Sequence, residues 1–370
     1  MTGIPFIGEA YVLKIFLIAV ILFMSSIVIL LFFTLIIHKL YVEFRENRAI
    51  RYRKFSISEI TRRLGEPGYP IQKPAKRVEF EAYADVLIDM LASISGDMEV
   101  LLRDIVRELG VAPYYQRLAG SRFWIRRFKA VEKLGFMRLP ELRQFFREIL
   151  RAEKDEGIIA RAVLALSFIA GDEDDIRDIN RILKAPTFMS AKFNEYIFTN
   201  VIRSFRLQGL EDRFVDIMDS LRQDETIPVI LKRDIIEACG SECLYQAKPV
   251  ILQYYESFTD LPELKITCIR ALGRMGGEDV CIIIRSCFKD KDWRVRAVDV
   301  KHAYLCADDV IDDLRDALHD ENYHVRINAA QSLSKLGEKG LETLRAEMNS
   351  TDRFTSDVAR YVLREAEIHA

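Results

Sequence analysis

The sequence predicts an all-α protein in which a single transmembrane helix precedes an α-solenoid of helical hairpins. Three observations carry that expectation. A run of 23 residues without a charged side chain, 15–37, lies near the N-terminus. A segment rich in proline and glycine, 65–77, interrupts helical periodicity after it. Beyond that break, the apolar pattern of a helix pair recurs about every 30 residues near the C-terminus.

The apolar run reads IFLIAVILFMSSIVILLFFTLII. At about 1.5 Å rise per residue it spans a hydrocarbon core about 30 Å thick. Ser25 and Ser26 can bond back to the helix's own carbonyls, so they do not interrupt it. A cleaved signal peptide would have a shorter apolar core, a basic stretch before it and small residues after it. This run follows a nearly uncharged stretch and ends in His38-Lys39, which favours an anchor.

Flanking charge sets the expected orientation. Lys14 precedes the run, opposed by Glu9, whereas Lys39, Arg45, Arg48, Arg51, Arg53 and Lys54 follow it against Glu43 and Glu46. The positive-inside rule then places 1–14 outside the inner membrane and the rest in the cytoplasm. The basic segment can continue the helix, with Tyr41, Phe44 and Tyr52 at headgroup level. Arg45, Arg48, Arg51, Arg53 and Lys54 are the candidate lipid-facing residues; the plainer reading is that they only set topology.

The expected organisation is therefore an extracytoplasmic stretch 1–14, a span 15–37, a basic juxtamembrane segment and linker 38–77, a helical cap 78–118 and a repeat domain 119–370. The repeats are clearest in LKITCIRALGRMG from Leu264, VRAVDVKHAYLCA from Val295 and VRINAAQSLSKLG from Val325. Apolar residues recur at offsets 0, 5, 8 and 11, one face of a helix. Asp260, Asp292, Asn322 and Asp352 are the expected N-caps, and Gly276-Gly277, Ala307 and Gly337 the breaks. Second helices carry Ile284-Arg285, Leu314-Arg315 and Leu344-Arg345. Upstream, Leu134, Ile169, Phe205 and Cys239 echo the Met275 position, 34 to 36 residues apart. The count is about seven hairpins and a closing helix, which bury their apolar faces only by stacking.

The stretches Asp292-Trp-Arg-Val-Arg-Ala and Asn322-Tyr-His-Val-Arg-Ile-Asn-Ala-Ala-Gln-Ser-Leu resemble HEAT repeats of the short, bilin-lyase-like kind. The resemblance is good over 260–350 and weakens back to about 120. It implies an α-solenoid whose recurring Val-Arg and Ala-Ala positions are structural, and it implies little about chemistry.

Chemistry-bearing motifs are sparse. There is no phosphate-binding GxxxxGK[ST] loop, and Gly273-Arg-Met-Gly276-Gly277 is expected in the turn between helices. His319 and His324 bracket cap residues instead of forming a convergent ligand set. Asp308, Asp309, Asp312 and Asp313 fit the positive end of a helix better than a calcium loop or a pair of catalytic acids. The six cysteines lack CxxC spacing and are expected to be buried free thiols in a reducing compartment. No cofactor, metal or small-molecule substrate is expected.

Charge offers the candidate binding residues. Net charge is −2, but 117–151 holds ten basic residues against three acidic ones. Arg122, Arg126, Arg127, Arg143 and Arg147 lie there, with Trp124 and Phe128 interleaved, and could grip an acidic partner or anionic lipid. Arg285, Arg315 and Arg345 would form a ladder along stacked second helices, either as an anion-binding groove or as partners for carboxylates on neighbouring repeats.

The expected function is a non-enzymatic scaffold, tethered at the inner membrane, that holds a protein partner. Proteins resembling this architecture are associated in bacteria with glycosyltransferases of envelope or extracellular polysaccharide synthesis, which implies a membrane enzyme as partner. The alternatives are a lyase-like HEAT-repeat enzyme, for which the sequence shows no catalytic constellation, and a lipid or nucleic-acid sensor using 117–151. Nucleic acid is the weaker of those two, given the anchor and the balanced net charge.

Overall fold

A computed structural model describes residues 5–369 apart from 67, 95, 186, 187, 189, 278 and 279. The side chains of 5–13, 282, 308 and 367–369 also lie outside the description, as does most of the segment expected to be extracytoplasmic. The described residues form 19 α-helices and no strand, in two compact units, Met1–Arg117 and Leu118–Ala370.

In the first unit, α1 runs unbroken from Pro5 to Gly65, 61 residues or about 90 Å at the usual helical rise. Among the described residues it is the one helix long and apolar enough to cross a membrane. Ser26 donates to the Phe23 carbonyl and Thr34 to the Leu30 carbonyl, each at 2.7 Å, so these two hydroxyls are satisfied within the helix, whereas Ser25 makes no such bond. Further on, α1 turns one face inward: Ser56, Glu59 and Ile60 are buried. That face packs on α2 (Arg77–Ser93), whose Tyr83, Leu87 and Leu91 are fully enclosed. Helix α3 (Asp97–Leu109) packs on α2 in turn and ends at Gly110 in the left-handed conformation. Helix α4 (Val111–Ala119) brings Tyr114 against Phe80, with ring centroids 5.0 Å apart. The stretch expected to cap the solenoid thus falls, through Arg117, in the unit that contains α1.

The second unit is a HEAT-like α-solenoid of seven hairpins and a closing helix. The first helices are α5 (Trp124–Phe136), α7 (Glu156–Ser167), α9 (Ala191–Leu207), α11 (Val229–Ser241), α13 (Pro262–Met275), α15 (Trp293–His302) and α17 (Tyr323–Lys335). Their second helices are α6 (Arg143–Ala152), α8 (Glu173–Leu183), α10 (Glu211–Gln223), α12 (Lys248–Ser257), α14 (Val280–Cys287), α16 (Ile311–Ala317) and α18 (Glu338–Glu347), and α19 (Arg353–His369) closes the stack. Each first helix packs on the next, from α5 on α7 through to α17 on α19.

The repeating face forms this core. Leu264, Val295 and Val325 are buried, as are Ile269, Val300 and Ala330, and then Leu272, Ala303 and Leu333. Leu134, Ile169, Phe205 and Cys239 are buried at the echoed positions. Each enclosed Leu, Ile, Val or Phe contributes about 1.5–3 kcal/mol relative to exposure. Small residues let neighbouring helices come close: a Cβ added at Gly240 on α11 would lie 2.6 Å from the Ala271 Cα on α13. The expected caps Asp292, Asn322 and Asp352 accept the backbone N–H of Arg294, His324 and Phe354 at 2.9, 2.9 and 3.1 Å.

Four expectations are corrected. Cys281 and Cys306 form a disulfide across 25 residues, because the first turn of α14 meets the break that follows α15. Cys239, Cys243, Cys268 and Cys287 remain thiols, and Cys243 is only half-buried. Asp260 does not cap α13, which starts with Pro262 at its first position after Leu261. Gly273 is not in a turn: it lies inside α13, where a Cβ would stand 2.6 Å from the His302 ring. Asp309 belongs to the 3-10 segment Ala303–Val310, so only Asp312 and Asp313 occupy the first turn of a helix. The Asp308 side chain lies outside the described residues.

Candidate functional site

The basic stretch 117–151 separates into two populations. At the start of α5, Phe123, Trp124 and Ile125 are 46%, 57% and 43% exposed. The guanidiniums of Arg122 and Arg126 lie 4.7 and 5.0 Å from the Phe123 ring centroid. Neither has a carboxylate partner among the described residues. These cations are therefore held in place by an aromatic face and remain free to meet an external anion.

The other arginines turn inward. Arg127 pairs with Glu153 at 3.0 Å and donates to the carbonyls of Ser121 and Arg122. On α6, Arg143, Arg147 and Arg151 recur every fourth residue and face Asp172, Asp175 and Asp178, around and along α8. Arg143 reaches Asp175 at 3.1 Å and the Ile169 carbonyl at 2.9 Å. Arg147 reaches Asp175 at 2.7 Å and also bonds Asp172, and Arg151 meets Asp178 at 2.8 Å. Asp175 is fully buried. Burial pushes its carboxyl above the ordinary range, outweighing the Gly171 N–H and the two guanidiniums. For Asp172, the Asp175 N–H and Arg147 outweigh the cost of burial and hold the carboxyl below that range. This zipper joins the second helices of the first two hairpins, so Arg143 and Arg147 are engaged inside the solenoid.

The C-terminal arginines are half-exposed and also engaged. Arg285 donates to the Asp309 carbonyl at 2.8 Å, Arg315 pairs with Glu347 of the next hairpin at 2.8 Å, and Arg345 pairs with Glu338 of its own helix at 2.6 Å. Glu347 is buried and also receives His319 Nε2 at 3.2 Å. Around α1, Arg48 pairs with Glu79 at 2.6 Å and Arg53 with Asp89, and Arg51 donates to the Asn47 carbonyl. Arg45 and Lys54 are exposed, with no carboxylate within ion-pair distance among the described residues. Tyr41 and Phe44 are 62% and 63% exposed.

The second-helix layer contains a feature that sequence reasoning missed. Helices α6 and α8 pack together, as do α10 and α12, but α8 and α10 leave a cleft of about 460 Å³ between them. Ile176 and Asn180 of α8, Ile217 and Leu221 of α10, and Ile227 line it, with Arg181, Lys184 and Asp224 among its charged residues. Asn180 is 2% exposed, and neither atom of its carboxamide has a hydrogen-bond partner. The signal available beforehand was an asparagine on the apolar face of EDDIRDINRIL. A second misfit is Asp299, fully buried on α15 with both carboxylate oxygens unbonded. Among the described residues, no group of three or more His, Cys, Asp or Glu side chains could hold a metal ion.

No family model matches this chain, and no curated protein matches it. Among solved structures, an engineered protein is 14% identical, with 87% of this chain and 96% of that one covered at a TM-score of 0.37. Human deoxyhypusine hydroxylase in complex with glycerol is 16% identical, with 86% and 98% covered at a TM-score of 0.25. Kap121p bound to RanGTP is 12% identical, with 86% of this chain but 43% of that one covered at a TM-score of 0.41. Likenesses this distant say nothing of activity.

Proposed function

We propose that the protein is a membrane-anchored scaffold: α1 crosses the inner membrane and the solenoid holds a protein partner at its cytoplasmic face. The observation that carries this reading is the exposed turn at 122–126, where apolar rings and two guanidiniums without carboxylate partners share one surface. Exposed aromatic and arginine side chains of this kind dominate binding energy at protein interfaces. The partner we infer is a membrane enzyme, such as a glycosyltransferase of envelope or extracellular polysaccharide synthesis. Cytoplasmic placement rests on the excess of Lys and Arg after the apolar run. The Cys281–Cys306 disulfide removes the supporting argument from uniformly free thiols.

The same turn also suits anionic lipid headgroups, because aromatic rings and arginine both favour that interface. One experiment separates the readings. A photoreactive residue replaces Trp124 in the full-length chain in its native membrane. A protein adduct that is lost in the Arg122→Glu/Arg126→Glu variant supports the scaffold. A lipid adduct alone selects the second reading.

A further inference from the structure

We infer that the cleft between α8 and α10 is a recognition site for an extended peptide segment of the partner. The inference rests on the scaffold reading and deepens it. Three features define the occupant. The volume, about 460 Å³, lies in the range of ligand sites. The walls include Ile176, Ile217 and Ile227, which suit an apolar side chain. The lining also holds Asn180, with a donor and an acceptor both buried and both unused.

A buried amide without partners is costly to leave unsatisfied, so the site gains most from a ligand that offers one acceptor and one donor side by side. A peptide bond does so. A helical segment does not, because its backbone groups are already paired. An extended strand or loop leaves them free, and its alternate side chains can then reach the isoleucines.

Charge sets the flanking preference. Arg177 is neutralised within α8 by Glu173 and Asp174, at 2.8 and 2.9 Å. Arg181 pairs with Asp178 at 3.3 Å and donates to the Leu150 carbonyl. Lys184 donates to the Thr226 hydroxyl at 3.0 Å and acts electrostatically on the Asp224 carboxylate, but among the described residues it has no carboxylate within ion-pair distance. An acidic side chain next to the apolar one would exchange that hydroxyl for a charge-assisted bond.

The test uses the full-length chain in lipid nanodiscs, panned against a displayed library of short random peptides. Enriched peptides are expected to carry an apolar residue beside an acidic one. Asn180→Leu should weaken their affinity about tenfold, the effect of losing about one hydrogen bond's worth of binding. It should also melt no lower than the parent, because it removes an unsatisfied buried amide. N-methylation of the peptide bond that faces Asn180 should produce the same loss. Ile217→Trp, which fills the cleft, should abolish binding. No enrichment, or binding unchanged in both variants, overturns the assignment even where the chain still recovers a partner from its own membranes. Cleft-dependent peptides without any recovered partner uphold the cleft and count against the scaffold reading.

Discussion

Ala307 holds a backbone conformation, φ 52° and ψ −148°, that Gly276 and Gly337 hold at the matching breaks of the neighbouring repeats, with φ 65° and 71°. A Cβ in that region costs on the order of 1–3 kcal/mol. Ala307→Gly should therefore raise stability by about 1 kcal/mol, allowing for glycine's freer unfolded chain, and a higher thermal midpoint would show it. Asp299 makes a second prediction. Burial raises its carboxyl well above the ordinary range, with Asp290 and Asp313 adding to the effect. The folded chain thus holds this proton more tightly than the unfolded chain does. Stability is highest below the usual carboxylate range and falls as pH rises through the folded value. Asp299→Asn should match the parent near pH 4 and exceed it near pH 7, as melting curves across that range would reveal. The misfit of Asp299 was legible: it occupies the offset that Cys268 and Ala329 fill in the flanking repeats, and both of those are buried. The exposure of Asn180's surroundings was not legible, because it depends on where α10 lies.

The α6–α8 zipper is the element that most changes the reading of the basic stretch. Arg147 is mostly covered, and Asp175 beneath it is fully buried. Arg147→Ala leaves Asp175 with Arg143 as its one guanidinium, beside the Gly171 N–H, and should destabilise the chain by about 3 kcal/mol, the effect of breaking a buried pair. Arg122→Ala, at an exposed site, should change stability by less than about 0.5 kcal/mol. Denaturant midpoints of the two variants would discriminate. The excess of positive charge over 117–151 is plain in composition, but its division into internal and external arginines is not. That division depends on the register of α6 against α8, set by packing between hairpins. The hairpins themselves were legible, because the period and the capping residues are local. The disulfide was not, since Cys281 and Cys306 belong to different repeats and meet only through stacking.

Within the second unit, the seven described hairpins in series give a surface in which each repeat rests mainly on its neighbours. Such a surface suits holding another chain, and an anchor raises that chain's effective concentration at the membrane. The apolar run of α1 and the period of the repeats were both readable from the residues alone. The turn at 122–126 and the α8–α10 cleft, the two proposed contacts for a partner, were readable from neither. The most direct test of the scaffold reading is recovery of the full-length chain through its C-terminus from gently solubilised membranes, with the co-eluting proteins quantified by mass spectrometry. A membrane enzyme is expected in stoichiometric amount, depleted when Arg122 and Arg126 are both reversed to glutamate. An eluate without a partner that carries a bound metal or pigment would contradict that expectation and favour an enzyme built on the same repeats.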